Sequence, residues 1–168
     1  LLFIRAPILF KQKRPGLHGI PFYFYKFRTM TSETNRNGEL LPDHERTHVL
    51  GSLIRSLSLD ELPQLINIIN GTMSFIGPRP LITEYAALYN DTQRKRHNVI
   101  PGISGWAQVK GRNSLTWGEK FNYDLYYVNH QSLILDTKIF FLTLYTILNR
   151  RGVNQGSSIT MAKFNGEN

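Results

Sequence analysis

Strand-like patterning is confined to the beginning of the chain, and this restricts the fold more than any other feature. Residues 8–13 and 21–27 alternate partly, are rich in Phe and Tyr, and flank a turn-rich stretch at 14–19. This arrangement predicts a β-hairpin. The segments that follow have helical spacing, without the βαβ alternation of a Rossmann fold. We therefore predict an α-rich α+β single domain with a short N-terminal β-hairpin.

The first predicted helix begins at Asp43, a residue type that caps helices, and ends near Leu57. Further helices are predicted over residues 62–69, 81–97, 117–128 and 133–148. Residues 101–113 contain three glycines and are predicted to form a loop. We treat 1–168 as one domain whose polar tail, 152–168, is expected to be loosely held.

Composition narrows the function classes without choosing one. The absence of cysteine excludes a disulfide framework, thiolate zinc sites and a cysteine nucleophile. The formal net charge of +8 favours phosphate-rich partners, which include nucleic acid, nucleotides and anionic lipid. Charge alone leaves these three partners open.

Two apolar stretches bear on membrane contact. Leu1 opens the sequence without a methionine, and the apolar residues 1–4 run into Arg5. We expect the sequence to be a piece of a longer protein with an apolar segment before it. Residues 139–148 are too few to span a bilayer. They suit either a core helix or an interfacial helix lying among lipid headgroups.

Two adjacent carboxylates, Asp60 and Glu61, stand where a helix is predicted to begin. One interpretation is structural: Ser58 with Glu61 forms a capping box, or Asp60 is the N-cap, which the position of Pro63 favours. The other is functional. At a helix start both carboxylates can converge on one cation, and the free N–H groups there attract phosphate. Arg55, just before them, is placed to contact phosphate oxygens.

A second candidate is Arg79, which lies between Pro78 and Pro80. The prolines stiffen the backbone, and a rigidly presented guanidinium suits a phosphate clamp as well as an ordinary stiff turn. Further along, the glycines of 101–109 permit close backbone approach to a ligand. Trp106 in the same stretch either stacks on a base or packs in the core, and packing is favoured.

His44, Glu45 and His48 match the zinc-protease pattern H-E-x-x-H. The pattern lies in a polar, charged stretch, and no obvious third ligand follows it. A zinc hydrolase is therefore kept only as a rival hypothesis. A nucleic-acid-binding module is a second rival because of the charge, although no nucleic-acid motif is present.

Taken together, the segments resemble the bacterial sugar transferase family, the small monotopic phosphoglycosyl transferases that use polyprenyl phosphate. The matching stretches occur in the family's order over nearly the whole chain: FKQKRPGLHGIPFYFYKFRTM, GSLIRSLSLDELPQL, GTMSFIGPRPL, PGISGWAQVKGRN and LDTKIFFLT. The resemblance is strongest to the initiating enzyme of bacterial N-linked glycosylation, which implies UDP-diacetylbacillosamine or a related N-acetylated UDP-sugar as donor.

The resemblance implies a two-step reaction. Asp60 attacks the β-phosphate of the UDP-sugar and releases UMP, and polyprenyl (undecaprenyl) phosphate then takes the phosphosugar from Asp60. It implies that Asp60 and Glu61 are catalytic and hold Mg²⁺. The residues that it implies for phosphate binding are Arg55, Arg79, Lys26 and Arg28.

The resemblance also implies a location and partners. The family works at the cytoplasmic face of the bacterial inner membrane and contacts membrane lipid. Its N-terminal re-entrant helix is missing from this sequence. Downstream glycosyltransferases are further expected partners, whereas nucleic acid is not.

Overall fold

The predicted hairpin is present in the computed structural model, which describes residues 7–149 and 163–167. Strands β1 (Leu9–Pro15) and β2 (Pro21–Phe27) are antiparallel, with Leu9 opposite Phe27. The turn between them includes His18, a left-handed residue with a φ of 53°. In β2, buried Phe22 and Phe24 alternate with exposed Tyr23, as expected for a strand with one covered face.

The rest of the described chain is mainly helical, so the mixed architecture predicted from the sequence is confirmed. Two helices are long, α7 (Trp117–His130) and α8 (Leu133–Leu148), and both lie where helical spacing predicts them. The shorter ones are α1 (Asp43–Arg46), α2 (Val49–Ser56), α3 (Leu65–Ile69), α4 (Thr83–Ala86), α5 (Asp91–Arg94) and α6 (Trp106–Lys110). Four 3-10 helices cover Leu17–Gly19, Leu59–Gln64, Lys95–Asn98 and Arg112–Ser114.

Three predicted helices are interrupted. The first divides into α1 and α2 because Thr47 is extended and forms an antiparallel bridge with Met30. The second begins as a 3-10 helix that contains Pro63, and α3 follows it. The third is divided because Asn90 is extended and caps α5 by accepting a hydrogen bond from the Gln93 N–H. Helical periodicity is thus outweighed by a bridge in the first helix, by a proline in the second and by a cap in the third.

The prediction of a loop over residues 101–113 is wrong. It contains α6 and strand β4 (Gly102–Ser104), which pairs in parallel with β3 (Ser74–Ile76). The glycines explain the pairing. A Cβ on Gly102 would lie 2.1 Å from the Gly77 nitrogen, and one on Gly105 would lie 2.2 Å from the Gly77 oxygen. These glycines therefore let backbone approach backbone, rather than the ligand suggested by the sequence.

The core consists of three clusters of buried side chains. Tyr127 of α7 and Ile139 of α8 pack with Ile76 and Trp106, which confirms the packing role favoured for this tryptophan. A second cluster contains Tyr89, Trp117, Phe121 and Phe164, and a third contains Phe22, Phe24 and Met73.

Part of the polar tail is fixed by this packing. Phe164 is only 3% exposed and makes edge-on contacts with the rings of Tyr85 and Phe121. The expectation of a loosely held tail is thus wrong for residues 163–167, whereas 152–162 and 168 lie outside the described residues, as do residues 1–4.

Several helices leave apolar side chains exposed. On α2 these include Val49, which is 88% exposed, and on α3 Ile69, which is 84% exposed. On α8, Ile139 faces the core, whereas Phe141, Leu144 and Leu148 are exposed. Within residues 7–149 and 163–167, no helix combines the length and apolar character needed to cross a membrane.

Candidate active site

The acidic pair lies on the 3-10 helix Leu59–Gln64, which packs against β2. Ser58 precedes this helix in a left-handed conformation, with a φ of 56°, and makes no side-chain cap hydrogen bond. Asp60 and Glu61 occupy the first turn. Both capping arrangements suggested by the sequence, the capping box and Asp60 as N-cap, are therefore wrong. The turn at Ser58 directs the chain so that Asp60 becomes buried, with 8% of its surface exposed.

The ammonium group of Lys26, on β2, contacts both carboxylates. Its Nζ donates to Glu61 Oε1 at 2.9 Å and to Asp60 Oδ2 at 3.4 Å. Arg79 faces the same pair from the connection after β3. Its Nη1 donates to Glu61 Oε2 at 3.2 Å, and its Nη2 donates to Glu61 Oε1. Four of the six residues expected in the site are therefore in direct contact.

The two adjacent carboxyls differ electrostatically. Burial raises the pKa of Asp60 above its ordinary value, and this effect outweighs the opposing charge of Lys26. Burial alone would also raise the pKa of Glu61, but Arg79 and Lys26 together hold that pKa well below its usual range. Glu61 is thus a firmly held anion, whereas the charge of Asp60 is poorly compensated.

The other two residues expected to bind phosphate, Arg55 and Arg28, have hydrogen-bond partners outside the carboxylate pair. Arg55 Nη1 donates to Met30 Sδ at 2.9 Å. Its charge is the smallest of the effects that oppose the burial-driven rise in the pKa of Asp60. Arg55 therefore lies near the pair without forming an ion pair with it in the described structure. Arg28 donates to Pro7 O at 3.0 Å and to Ser32 Oγ at 3.1 Å. Within the described residues, the structure does not bring Arg28 to either carboxylate.

Three further arginines surround Arg79, and sequence reasoning missed them as site residues. Arg14 Nη1 donates to Pro80 O at 3.0 Å, and Arg96 Nη2 donates to Arg79 O at 2.7 Å. Arg112 has a left-handed backbone, and its pKa is lowered by burial and by the charge of Arg79. Arg96 belongs to a basic run that looks like an ordinary helix end, so its pattern gives no sign of this role.

The histidines of the H-E-x-x-H pattern do not form a metal site. The helix is broken at Thr47, so His44 and His48 do not lie one turn apart on the same face of a single helix. His44 Nε2 lies 3.6 Å from Glu45 Oε1, and both side chains are at least half exposed. Among the residues that the structure describes, no group of three or more His, Cys, Asp or Glu side chains is placed to hold a metal ion.

The acidic pair nevertheless suits the magnesium ion that the family resemblance implies. Mg²⁺ needs only one or two protein carboxylates when substrate phosphates and water complete its shell. Asp60 and Glu61 already converge on one positive charge, the Lys26 ammonium. The residues present therefore fit a magnesium ion that a bound diphosphate helps to hold.

Comparisons with known proteins identify the family. The sequence model described as "Bacterial sugar transferase" matches residues 2–150. The Bacillus subtilis (strain 168) protein named "Uncharacterized sugar transferase EpsL" is 51% identical over 165 residues, which are 98% of this chain and 82% of that protein.

Two relatives carry more specific names. A UDP-glucose:undecaprenyl-phosphate glucose-1-phosphate transferase from Xanthomonas campestris pv. campestris is 39% identical over 158 residues, 87% of this chain and 32% of that protein. A UDP-N-acetylgalactosamine-undecaprenyl-phosphate N-acetylgalactosaminephosphotransferase from Aeromonas hydrophila is 39% identical over 154 residues, 85% of this chain and 36% of that protein. The chain thus spans about a third of these two longer relatives. With a family match over most of its length, the chain belongs to the bacterial sugar transferase family.

Proposed function

We propose that this chain transfers a phosphosugar from a UDP-sugar to polyprenyl phosphate and releases UMP. The observation that carries the proposal is the asymmetry of the acidic pair: Glu61 is neutralised by Arg79 and Lys26, whereas Asp60 is buried with weaker compensation. The names of two relatives, which specify UDP-sugar donors and undecaprenyl phosphate, support the same substrates.

In the first step, a carboxylate oxygen of Asp60 attacks the β-phosphorus of the UDP-sugar. An O–P bond forms to Asp60, and the bond from β-phosphorus to the bridging oxygen breaks. UMP leaves with that oxygen and its electron pair. Lys26 lies against Asp60 and Glu61, where its charge offsets repulsion between the carboxylates and the diphosphate.

In the second step, an oxygen of polyprenyl phosphate attacks the phosphorus held on Asp60. The bond to Asp60 breaks, the carboxylate is restored, and polyprenyl diphosphosugar is formed. Splitting one displacement into two in this way is the general advantage of covalent catalysis. Asp60 and Glu61 would hold Mg²⁺, which supplies positive charge to the phosphate oxygens.

A burst experiment tests the proposal. The enzyme is mixed with Mg²⁺ and each member of a panel of UDP-sugars, including UDP-diacetylbacillosamine, UDP-glucose and UDP-N-acetylgalactosamine, without acceptor. We expect a burst of UMP stoichiometric with enzyme for the true donor. Mass analysis of the quenched protein should place a phosphosugar on the peptide that contains Asp60.

Two variants sharpen the result. Asp60→Asn should abolish both the adduct and turnover with polyprenyl phosphate. Glu61→Gln should slow the reaction while the adduct stays on Asp60. Direct transfer would be the correct mechanism if the active enzyme gave no adduct and released UMP only with both substrates bound.

We further propose that the chain works against the cytoplasmic face of the bacterial inner membrane, where its second substrate is a lipid. The exposed apolar residues of α2, α3 and α8 support this placement, since such side chains favour a non-aqueous neighbour. The polyprenyl chain of the substrate and the apolar surface of the protein would then both lie in the membrane.

A further inference from the structure

A buried ion pair lies directly behind Arg79. Arg96 and Asp124 are 3% and 4% exposed. Arg96 donates to Asp124 Oδ2 through Nη2 at 2.7 Å and through Nε at 3.1 Å. Such a pair is costly to bury, and well-packed apolar residues often stabilise a fold as much or more. Its presence therefore calls for a purpose beyond fold stability.

The remaining contacts of Arg96 indicate that purpose. Nη2 also donates to the backbone carbonyl of Arg79 at 2.7 Å, and Nη1 donates to the Tyr89 hydroxyl at 3.4 Å. One planar guanidinium thus joins a carboxylate, a hydroxyl and the backbone of the site. A lysine ammonium lacks the rigid fork required for this arrangement.

The backbone at Arg79 is well suited to being held through its carbonyl. Pro78 and Pro80 carry no N–H group, so carbonyl oxygens are the main anchoring groups of this short segment. Arg96 holds the carbonyl of Arg79, and Arg14 holds that of Pro80. The Arg79 side chain then reaches Glu61 from a backbone that is held through two successive carbonyls on the C-terminal side of its Cα.

We propose that Arg96 is a positioning residue that acts through Arg79: Asp124 fixes its guanidinium, and the guanidinium fixes the Arg79 backbone so that Arg79 meets Glu61 and the substrate phosphates. The expected effect on turnover rests on the proposed function, whereas the expected effect on the mobility of the Arg79 side chain is independent of it.

Kinetics of UMP release provide the first test. Arg96→Lys keeps the charge, whereas Arg96→Met combined with Asp124→Leu removes both charges and leaves no unpaired buried ion. Both variants should lower kcat about 10- to 100-fold, because small displacements of a positioning group have effects of this size, with little change in KM. Lys95→Met, which removes an exposed neighbouring charge, should leave kcat unchanged.

A double-mutant cycle separates positioning from general damage. In an Arg79→Ala background, Arg96→Lys should cause almost no further loss, since the residue through which it acts is gone. The proposal would be overturned if the losses in kcat caused by Arg79→Ala and Arg96→Lys multiplied in the double mutant. It would also be overturned if the Arg96→Met, Asp124→Leu variant folded and kept the wild-type kcat. If that double variant fails to fold, the cycle with Arg96→Lys decides alone.

A measurement without substrate distinguishes failure of this proposal from failure of the proposed function. In ¹⁵N relaxation, the Arg79 Nε–H group should be rigid in the wild type and mobile in Arg96→Lys, while folding is unchanged. If the wild type releases no UMP with any UDP-sugar, the proposed function fails and this measurement still tests Arg96. Unchanged Arg79 mobility in the variant would refute the positioning role.

Discussion

At the residue scale, Asp60 and Glu61 differ in how well their charges are compensated, although they are neighbours in sequence. Arg79 and Lys26 bind Glu61 closely, whereas Lys26 lies at the longer distance of 3.4 Å from Asp60. A poorly compensated carboxylate is the better nucleophile, and a tightly paired one is the better fixed anchor. This difference supports Asp60, rather than Glu61, as the attacking group.

Asp60→Asn should raise the melting temperature at neutral pH while it removes turnover. The raised pKa of Asp60 means that the fold favours its protonated form. The wild type therefore loses stability as pH rises from the ordinary carboxyl value of 3.8 through the raised pKa. Thermal denaturation across this range should show the gap between variant and wild type opening as pH increases.

A control is available at Asp43, which pairs with Arg46 at 2.7 Å on the surface. Asp43→Asn should leave the melting temperature equal or slightly lower, because surface ion pairs contribute about 0 to 1 kcal/mol. A melting temperature of Asp60→Asn below that of the wild type at neutral pH would contradict the assigned cost of burying the Asp60 charge.

Arg79→Ala should slow turnover by roughly 10²-fold, the typical cost of losing a group that stabilises transferring charge. Its flanking prolines remain, so the connection should keep its shape and the melting temperature should change far less than kcat. Steady-state UMP release and thermal denaturation check the two parts. Wild-type kinetics would reduce Arg79 to a turn residue that happens to contact Glu61.

At the element scale, the short parallel pair β3 and β4 brings the Arg79 segment against the glycine-rich stretch. Gly102→Ala should destabilise the protein by about 1 to 3 kcal/mol or more, since the new Cβ meets backbone that cannot move freely. Gly118→Ala is the matched control: Gly118 lies exposed in α7, and its added Cβ meets nothing within 4 Å. We expect the control to stabilise by up to about 1 kcal/mol. Urea denaturation measures both, and equal effects would contradict the close approach.

The sequence predicts elements best where one periodic pattern is long. The hairpin, α7 and α8 were predictable for this reason. Three-residue strands such as β3 and β4 contain too little pattern, and their pairing depends on contacts far apart in sequence. The bridge that breaks the first helix at Thr47 is equally non-local.

The same distinction applies to the site. Asp60 and Glu61 were found because they are adjacent, and Arg79 because prolines flank it. Arg96 was missed because its role depends on Asp124, 28 residues away, and on the carbonyl of Arg79. No local pattern records either partner.

At the scale of the whole molecule, the exposed side of α8 offers a test of membrane contact. Phe141 is 62% exposed, and Leu144 lies on the same helix. Replacing either with Glu should weaken binding to anionic vesicles about tenfold, because each loses part of the transfer free energy of a large apolar side chain. Vesicle co-sedimentation measures the binding, and thermal denaturation should show little change.

Asn122→Glu provides the control, since Asn122 is an exposed polar residue on α7. It should reduce vesicle binding only by the general effect of one negative charge. If Phe141→Glu and Leu144→Glu instead unfold the domain, α8 contributes that face to the core and the membrane role is wrong for this helix.

The whole reaction should require a divalent metal. A chelator should stop UMP release, and Mg²⁺ should restore it better than Zn²⁺, because oxygen ligands and a diphosphate favour the harder ion. Titration of Mg²⁺ against UMP release measures the requirement. Full turnover in excess chelator would exclude the metal role of Asp60 and Glu61.

The packing of Phe164 has a consequence for biosynthesis. Phe164 completes the cluster that contains Tyr89, and Tyr89 accepts a hydrogen bond from Arg96. The ribosome makes Phe164 75 residues after Tyr89. At about 5 to 20 residues per second, roughly 4 to 15 s separate the two residues. During that interval the nascent chain already contains Asp60, Glu61 and Arg79 but lacks the Phe164 ring that packs behind Tyr89. We therefore expect the site to mature only after translation has passed residue 164.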